Sequence, residues 1–149
     1  MQKKLIVNSD RAKLLESKGI KITAVRELVA GVFLEKKHAL SLFDIENSLP
    51  WSDRVTLFRT IKTFEQQGLV HQINDGSSSL KYALCEEECK IKKHLDIHPH
   101  FHCDNCNKTI CLDPQEIKTT TIPENFIVKD YSLVFNGICD ECIQLTIED

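Results

Sequence analysis

The stretch Ser41–Val70, SLFDIENSLPWSDRVTLFRTIKTFEQQGLV, decides the fold. Ser41 and Asp44 stand at capping-box spacing, with aspartate where Glu or Gln is usual. A short helix is therefore predicted over SLFDIENSL, and Pro50 stops the chain beyond it. Asp53 is placed to cap a third helix, Arg54 to Gln67, ended by Gly68. At about 100° per residue, Leu57, Phe58, Ile61 and Phe64 share one face and predict its core side. The opposite face carries Thr56, Arg59, Lys62 and Thr63, with Arg54 at the N-terminal end. That face is short, polar and cationic, and an arginine there can grip guanine or phosphate with two hydrogen bonds.

Working outward, the segment from Thr23 to Glu35 carries Val25, Leu28, Val29, Val32 and Phe33. These are positions i, i+3, i+4, i+7 and i+8, one apolar stripe of an amphipathic helix, and Thr23 is a fair N-cap. Farther upstream, DRAKLLESKG reads as one more short helix closed by Gly19. Downstream, LVHQI and SLKYAL read as two strands joined by the turn formers Asn74 to Ser78. Helices followed by a β-hairpin make the winged variant of helix-turn-helix, whose last helix enters the major groove. A cationic helix face is also what an ordinary solvated surface looks like. The order of short helix, brief Pro50-Trp51-Ser52 connection and capped basic helix tips the reading towards DNA.

Charge divides the chain in the same place. Through Leu84 there are 13 Lys and Arg against 9 Asp and Glu; from Cys85 onward there are 6 against 13. All seven cysteines and four of the six histidines lie in the second part. Two domains are expected, residues 1–84 basic and residues 85–149 acidic and rich in metal-binding side chains. No apolar run approaches the roughly 18 residues of a membrane span, and Leu5-Ile6-Val7 is too short for a signal-peptide core. A cytoplasmic protein is expected. In that compartment clustered cysteines hold metal more often than they form disulfides, and an odd number argues against a closed disulfide framework.

Cys103-Asp-Asn-Cys106 and Cys139-Asp-Glu-Cys142 are two CxxC pairs separated by 32 residues. Each offers two thiolates from one tight turn, and together they complete the tetrahedral shell of four sulfurs that zinc favours. The gap exceeds the roughly 15–20 residues of a simple finger, so a small fold must lie between the pairs. Phe126, Val128, Leu133 and Phe135 predict strands there, and Pro114 to Thr119 predicts the start of a short helix. Zinc would pin the last strand to the first. One CxxC alone also describes a redox dithiol; two in one short acidic domain, without a thioredoxin-like βαβ pattern, describe structural zinc. Such a shell is full and catalyses nothing.

A second ligand cluster runs through CEEECKIKKHLDIHPHFHC, with Cys85, Cys89, His94, Asp96, His98, His100 and His102. His98, His100 and His102 alternate, so on a strand they project from one face. Cys111 follows and is expected on the neighbouring strand. A single histidine is usually a surface or core residue, and His94 or His102 fits that description; the density of the run predicts a second metal site. Mixed imidazole and thiolate donors favour Zn²⁺ over oxygen-preferring Mn²⁺ or Mg²⁺. A thiolate beside an imidazole is also a catalytic pair, but no substrate motif or phosphate loop accompanies it. No enzyme and no small-molecule substrate are expected.

From about Gly19 to Cys142 the chain resembles the ferric uptake regulator (Fur) family of metal-dependent bacterial repressors. The resemblance rests on GIKITAVRELV, HALSLFDIE, DRVTLFRTIKTFEQQGLV, HPHFHCDNC and GICDEC in combination. It implies an α+β protein: a winged helix-turn-helix domain followed by a small α/β dimerisation domain with a structural four-cysteine zinc site. It also implies a homodimer that binds a palindromic operator in double-stranded DNA when the sensed metal is bound. Cys103, Cys106, Cys139 and Cys142 match the family's structural zinc ligands, and His98 and His100 its paired regulatory histidines. His38 lies where the family often draws a ligand from the DNA-binding domain, and Cys111 where many members have a carboxylate. Cys85 and Cys89 lie at the domain junction, where others place an acidic or thiol ligand. Phe58-Arg59-Thr60 stands at the family's usual Tyr-Arg-Thr. Ile97, Pro99 and Asp130-Tyr131 depart from positions where some members have ligands, so a further site built from them is not expected. The expected function is a zinc-responsive repressor, with Fe²⁺, Mn²⁺ or peroxide sensing as variants and a zinc-storage or adaptor protein without an operator as the rival class.

Overall fold

The computed structural model describes residues 8–84, 99–112, 121–129 and 131–147. The chain divides into two compact units, Met1–His94 and Leu95–Asp149. Within the first, helices α1 (Asn8–Ser17), α2 (Ala24–Lys36), α3 (Leu42–Ser48) and α4 (Arg54–Gln66) pack with strands β1 (Leu40–Ser41), β2 (Val70–Ile73) and β3 (Lys81–Leu84). The second holds β4 (His100–Cys103), β5 (Thr109–Cys111), β6 (Val134–Gly137) and α5 (Asp140–Ile147).

Each predicted cap forms. Thr23 accepts the Arg26 amide at the start of α2. At α3 the capping box closes in both directions, Asp44 N–H donating to Ser41 Oγ and Ser41 N–H to Asp44 Oδ2 at 2.8 Å. Asp53 Oδ1 accepts the Thr56 amide at 2.9 Å and starts α4. Gly19 and Gly68 follow α1 and α4 with φ of +66° and +70°, a conformation that side chains with a Cβ resist. These local hydrogen bonds fix where the helices begin and end; burial then fixes their faces.

Val29, Val32 and Phe33 of α2 join Leu15, Ile45, Leu57, Ile61, Phe64, Leu69, Val70 and Tyr82 in one core, with Val25 and Leu28 packed at its margin. One expectation for α4 is corrected. Phe58 is 44% exposed, and Thr60, at 7%, occupies the buried arc beside Leu57, Ile61 and Phe64. The stripe turns by about 100° per residue, so Phe58 lies on its margin and rotates out once Ile61 and Phe64 are seated.

The wing is the antiparallel pair β2–β3, with Val70 opposite Leu84 and Ile73 opposite Lys81. The two-residue strand β1 adds to its other edge, Leu40 opposite Tyr82, giving the order β1-β3-β2. In the second unit the order is β5-β4-β6, with β4–β5 antiparallel and β4–β6 parallel. The last strand thus lies against the first, as the zinc spacing required. Leu133 and Phe135 bracket the start of β6 as expected. Phe126 and Val128 do not form a strand: among the described residues, 121–129 contain a turn and no strand. Phe126, Ile127 and Val128 are all exposed there, so the run lacks the buried face that alternation requires. The helix predicted from Pro114 to Thr119 lies outside the described residues, while α5 was not predicted. No helix among the described residues is long and apolar enough to cross a membrane.

Candidate functional site

Strand β4 delivers Cys103 to the mouth of a tight turn. Cys103 N–H donates to the Lys108 carbonyl, and Asn107 N–H donates back to the Cys103 carbonyl, both at 2.9 Å. Asn107 closes the turn at φ +59°, a left-handed conformation in which asparagine is enriched among residues with a Cβ. The Asp104 amide donates to Gly137 at 2.8 Å, tying this turn to the end of β6. Gly137 fits closely there: a Cβ would meet the Phe101 ring at 3.3 Å, and the ring would have to give by a few tenths of an ångström. Beyond β6, Cys139 leads into α5, whose buried Cys142 returns towards Cys103.

The four thiols converge, all within 4.8 Å of one another. Cys103 Sγ is 3.9 Å from Cys142 Sγ, and Cys106 Sγ is 3.8 Å from Cys139 Sγ. A tetrahedron of sulfurs about 2.3 Å from a central ion has edges of about 3.8 Å, so the donors fit a tetrahedral thiolate-bound metal. They are far outside the roughly 2.05 Å of a disulfide. Backbone N–H groups of Cys106 and Cys139 bring the Cys103 thiol down to about 6; the Cys139 amide lies 3.3 Å from its sulfur. The Cys142 amide also favours a Cys139 thiolate, but burial and the crowding thiols of Cys142, Cys103 and Cys106 push that group up to about 12. Four negative charges at this spacing repel, and a bound cation is what lets all four thiols ionise together. Lys108 pairs with Glu141 across the two turns, an exposed contact worth little to stability.

A second pair of donors sits on the same sheet. His100 and Cys111 are direct partners in the β4–β5 ladder, and their ligand atoms lie within 4.8 Å. His102 lies on the same face of β4, buried, with Nδ1 2.9 Å from Thr109 Oγ1. Thr109 carries no metal-ligand signal in the sequence, so this partner of His102 was not anticipated. His98, Cys85 and Cys89 lie outside the described residues.

In the first unit, half-buried His38 has its Nδ1 2.9 Å from the Ala39 carbonyl oxygen. A carbonyl only accepts, so Nδ1 is the donor; in a neutral ring the lone pair is then on Nε2. That tautomer would suit metal binding through Nε2. His71 is half-buried on β2, opposite Ala83.

On α4, Arg54, Val55, Phe58 and Arg59 are exposed. The Arg54 guanidinium donates to Glu46 at 2.6 Å and Lys62 to Glu65 at 2.8 Å. Thr63 donates its hydroxyl to the Arg59 carbonyl at 3.0 Å, and the Thr56 amide is held by Asp53. Arg59 therefore presents its charge outward between two cations that are held by neighbouring carboxylates.

Residues 17–135 match the sequence profile of the ferric uptake regulator family. The chain belongs to that family. It is a Fur-family metal-responsive transcriptional regulator and not an enzyme. The ferric uptake regulation protein of Bacillus subtilis is 28% identical over 141 residues, covering 87% of this chain and 90% of that protein. The peroxide operon regulator of the same organism is 23% identical over 137 residues, covering 86% and 88%. Among solved structures, a zinc uptake regulator complexed with zinc and DNA superposes with a TM-score of 0.62 at 16% identity, covering 99% of both chains. The Helicobacter pylori ferric uptake regulator gives 0.55 at 18% identity, covering 95% of this chain and 97% of the other. The solved structures share the α+β fold of this chain, a helical N-terminal unit and a β-rich C-terminal unit; in this chain the second unit carries the four-cysteine cluster.

Proposed function

We propose that this Fur-family regulator is a zinc-sensing repressor that binds a palindromic operator as a homodimer. The observation that carries the reading is the His100–Cys111 pair, a mixed imidazole and thiol donor set separate from the closed four-cysteine shell. Sulfur and imidazole together favour Zn²⁺ over the oxygen-preferring ions. His98 would join His100 and Cys111, and His38 together with Cys85 or Cys89 would complete the set from the first domain and the junction. The Nδ1 contact of His38 with the Ala39 carbonyl, which leaves the neutral ring's lone pair on Nε2, supports its part. The four-cysteine shell would hold structural zinc, which supplies a cross-link between two turns.

Arg54, Thr56, Arg59, Lys62 and Thr63 of α4 would face DNA, with Arg59 the principal base or phosphate contact. Phe126, Ile127, Val128, Phe135 and Leu145 of the second unit are each exposed, and burying such side chains against a second copy of the chain would favour the dimer. In the dimer, ligands drawn from both domains would favour one pose, setting the two recognition helices about 34 Å apart, one turn of the duplex. A tenfold effect of metal on DNA binding needs only about 1.4 kcal/mol of preference for that pose.

The similarity to the B. subtilis ferric uptake and peroxide operon regulators supports Fe²⁺, Mn²⁺ or peroxide sensing on the same architecture as the second reading. Capture of sheared genomic DNA by the purified protein separates these possibilities. Enrichment of a few palindromic sites with zinc and not after mild chelation is the expected result. Enrichment only with iron or manganese transfers the reading to that metal; enrichment under no condition makes the chain a zinc-binding adaptor.

A further inference from the structure

Gly31 sits in the middle of α2, where a residue without a side chain disfavours the helix. Arg11 of α1 lies across it. A Cβ at Gly31 would stand 2.6 Å from Arg11 Nε and 2.7 Å from its Cζ, closer than packed atoms come. The glycine therefore makes room for a guanidinium. That guanidinium rests there without a counter-ion: among the described residues no carboxylate pairs with it, and its Nε is buried with no hydrogen-bond partner. A buried N–H of a charged group is a costly donor to leave unpaired.

Arg11 and Gly31 line a cleft of about 330 Å³. Leu28, Val32 and Leu49 supply its apolar wall, Lys36 a second cation and Glu35 one carboxylate, so two positive charges face one negative. Trp51, 72% exposed, borders the same cleft. The volume lies near the lower end of the roughly 300–1,000 Å³ of small-molecule sites, which combine apolar walls with a few polar groups. A guanidinium beside an ammonium favours an oxyanion, and a carboxylate matches the guanidinium fork with two hydrogen bonds. The apolar wall and the indole favour a planar body over a bare inorganic ion. We propose that this cleft binds a small aromatic carboxylate, its anionic end on Arg11 and its ring towards Trp51. Neither the four-cysteine shell nor the outward face of α4 takes part, so the site is independent of which metal is sensed. Leu49 and Trp51 belong to the connection between α3 and α4, and the ligand would touch the turn that leads into α4.

Trp51 is the one tryptophan of the chain, so its fluorescence reports on the cleft. The test titrates the full-length metal-loaded protein with benzoate at constant ionic strength, with neutral benzamide and inorganic phosphate as controls. Benzoate should change the Trp51 emission saturably, and the controls should not. Arg11→Gln should weaken benzoate binding about tenfold or more, as expected for a lost hydrogen bond to a charged group. Gly31→Ala favours the helix and displaces the guanidinium, so it should weaken binding as much without lowering the unfolding midpoint. A response to benzoate that does not saturate, an equal response to benzamide or to phosphate, or full affinity in a folded Gly31→Ala protein would overturn the proposal.

Discussion

Lys81 and Asp75 form an ion pair of 2.7 Å at the turn end of the wing, and neither side chain has more than 9% of its surface in water. Asp75 also accepts the Ser77 amide at 2.9 Å, so one carboxylate joins the turn to the first residue of β3. Removing one partner of a buried pair leaves an uncompensated charge, at a cost of about 3–5 kcal/mol. Asp75→Ala should lower the urea-unfolding stability by that order. Replacing both residues, Asp75→Ala with Lys81→Met, should recover part of the loss because no buried charge remains. A single variant within about 1 kcal/mol of wild type, on the scale of an exposed pair, would show that the pair does not brace the wing.

The cap of α4 makes a pH prediction. Hydrogen bonds from the Thr56 side chain and amide hold the Asp53 carboxyl below its ordinary value. A carboxyl whose folded pKa is depressed contributes stability above the unfolded pKa and loses it as the pH falls through the folded one. Asp53→Asn keeps a capping side chain but does not titrate. Its unfolding midpoint should therefore depend less on pH than that of wild type from about pH 5 down to the acid limit of folding. Parallel curves over that range would remove Asp53 from the acid response.

The four-thiol shell predicts the effect of losing one ligand. Cys142 is buried on α5, and its sulfur faces that of Cys103 at 3.9 Å. Cys142→Ser should lose one tightly bound metal equivalent per chain after dialysis, together with thermal stability in the C-terminal unit. Metal binding to such a site is coupled to folding, so chelation of the wild type should reproduce the loss. Full metal content in the variant would mean that the four thiols are not the shell.

Local chemistry made the first unit legible. Thr23, the Ser41–Asp44 pair and Asp53 each bond to an amide within three residues, so their roles can be read without knowing what packs on the helix. The metal shell was legible for a related reason: each CxxC turn is local, and only the return of β6 to β4 is long-range. Phe58 was misread because it sits at the margin of its stripe, where tertiary packing decides. β1 is too short to show any period. At Phe126 to Val128, three consecutive apolar residues resembled a strand, but no neighbouring strand pairs with them among the described residues. The pairing of His102 with Thr109 depends on the β4–β5 register, and a threonine announces nothing in advance.

The last prediction separates sensing from reading. His98 and His100 are proposed to hold the sensed metal, whereas Arg59 is proposed to touch DNA and stands on another unit. Replacing both histidines with alanine should abolish the zinc dependence of operator binding and leave the structural metal and the folded dimer in place. Arg59→Ala should do the reverse: metal stoichiometry unchanged, operator affinity weaker by about 1–3 kcal/mol, the range for a good bidentate base contact. Metal content by elemental analysis and DNA binding by fluorescence anisotropy, measured on the same preparations, give the two readouts. Because imidazole and thiol must shed protons to bind metal, the zinc response of wild type should also weaken as the solution is acidified. Persistence of zinc-dependent binding in the double histidine variant would sink the assignment of these residues as the sensor. Unchanged operator affinity in Arg59→Ala would count against α4 as the helix that reads the operator.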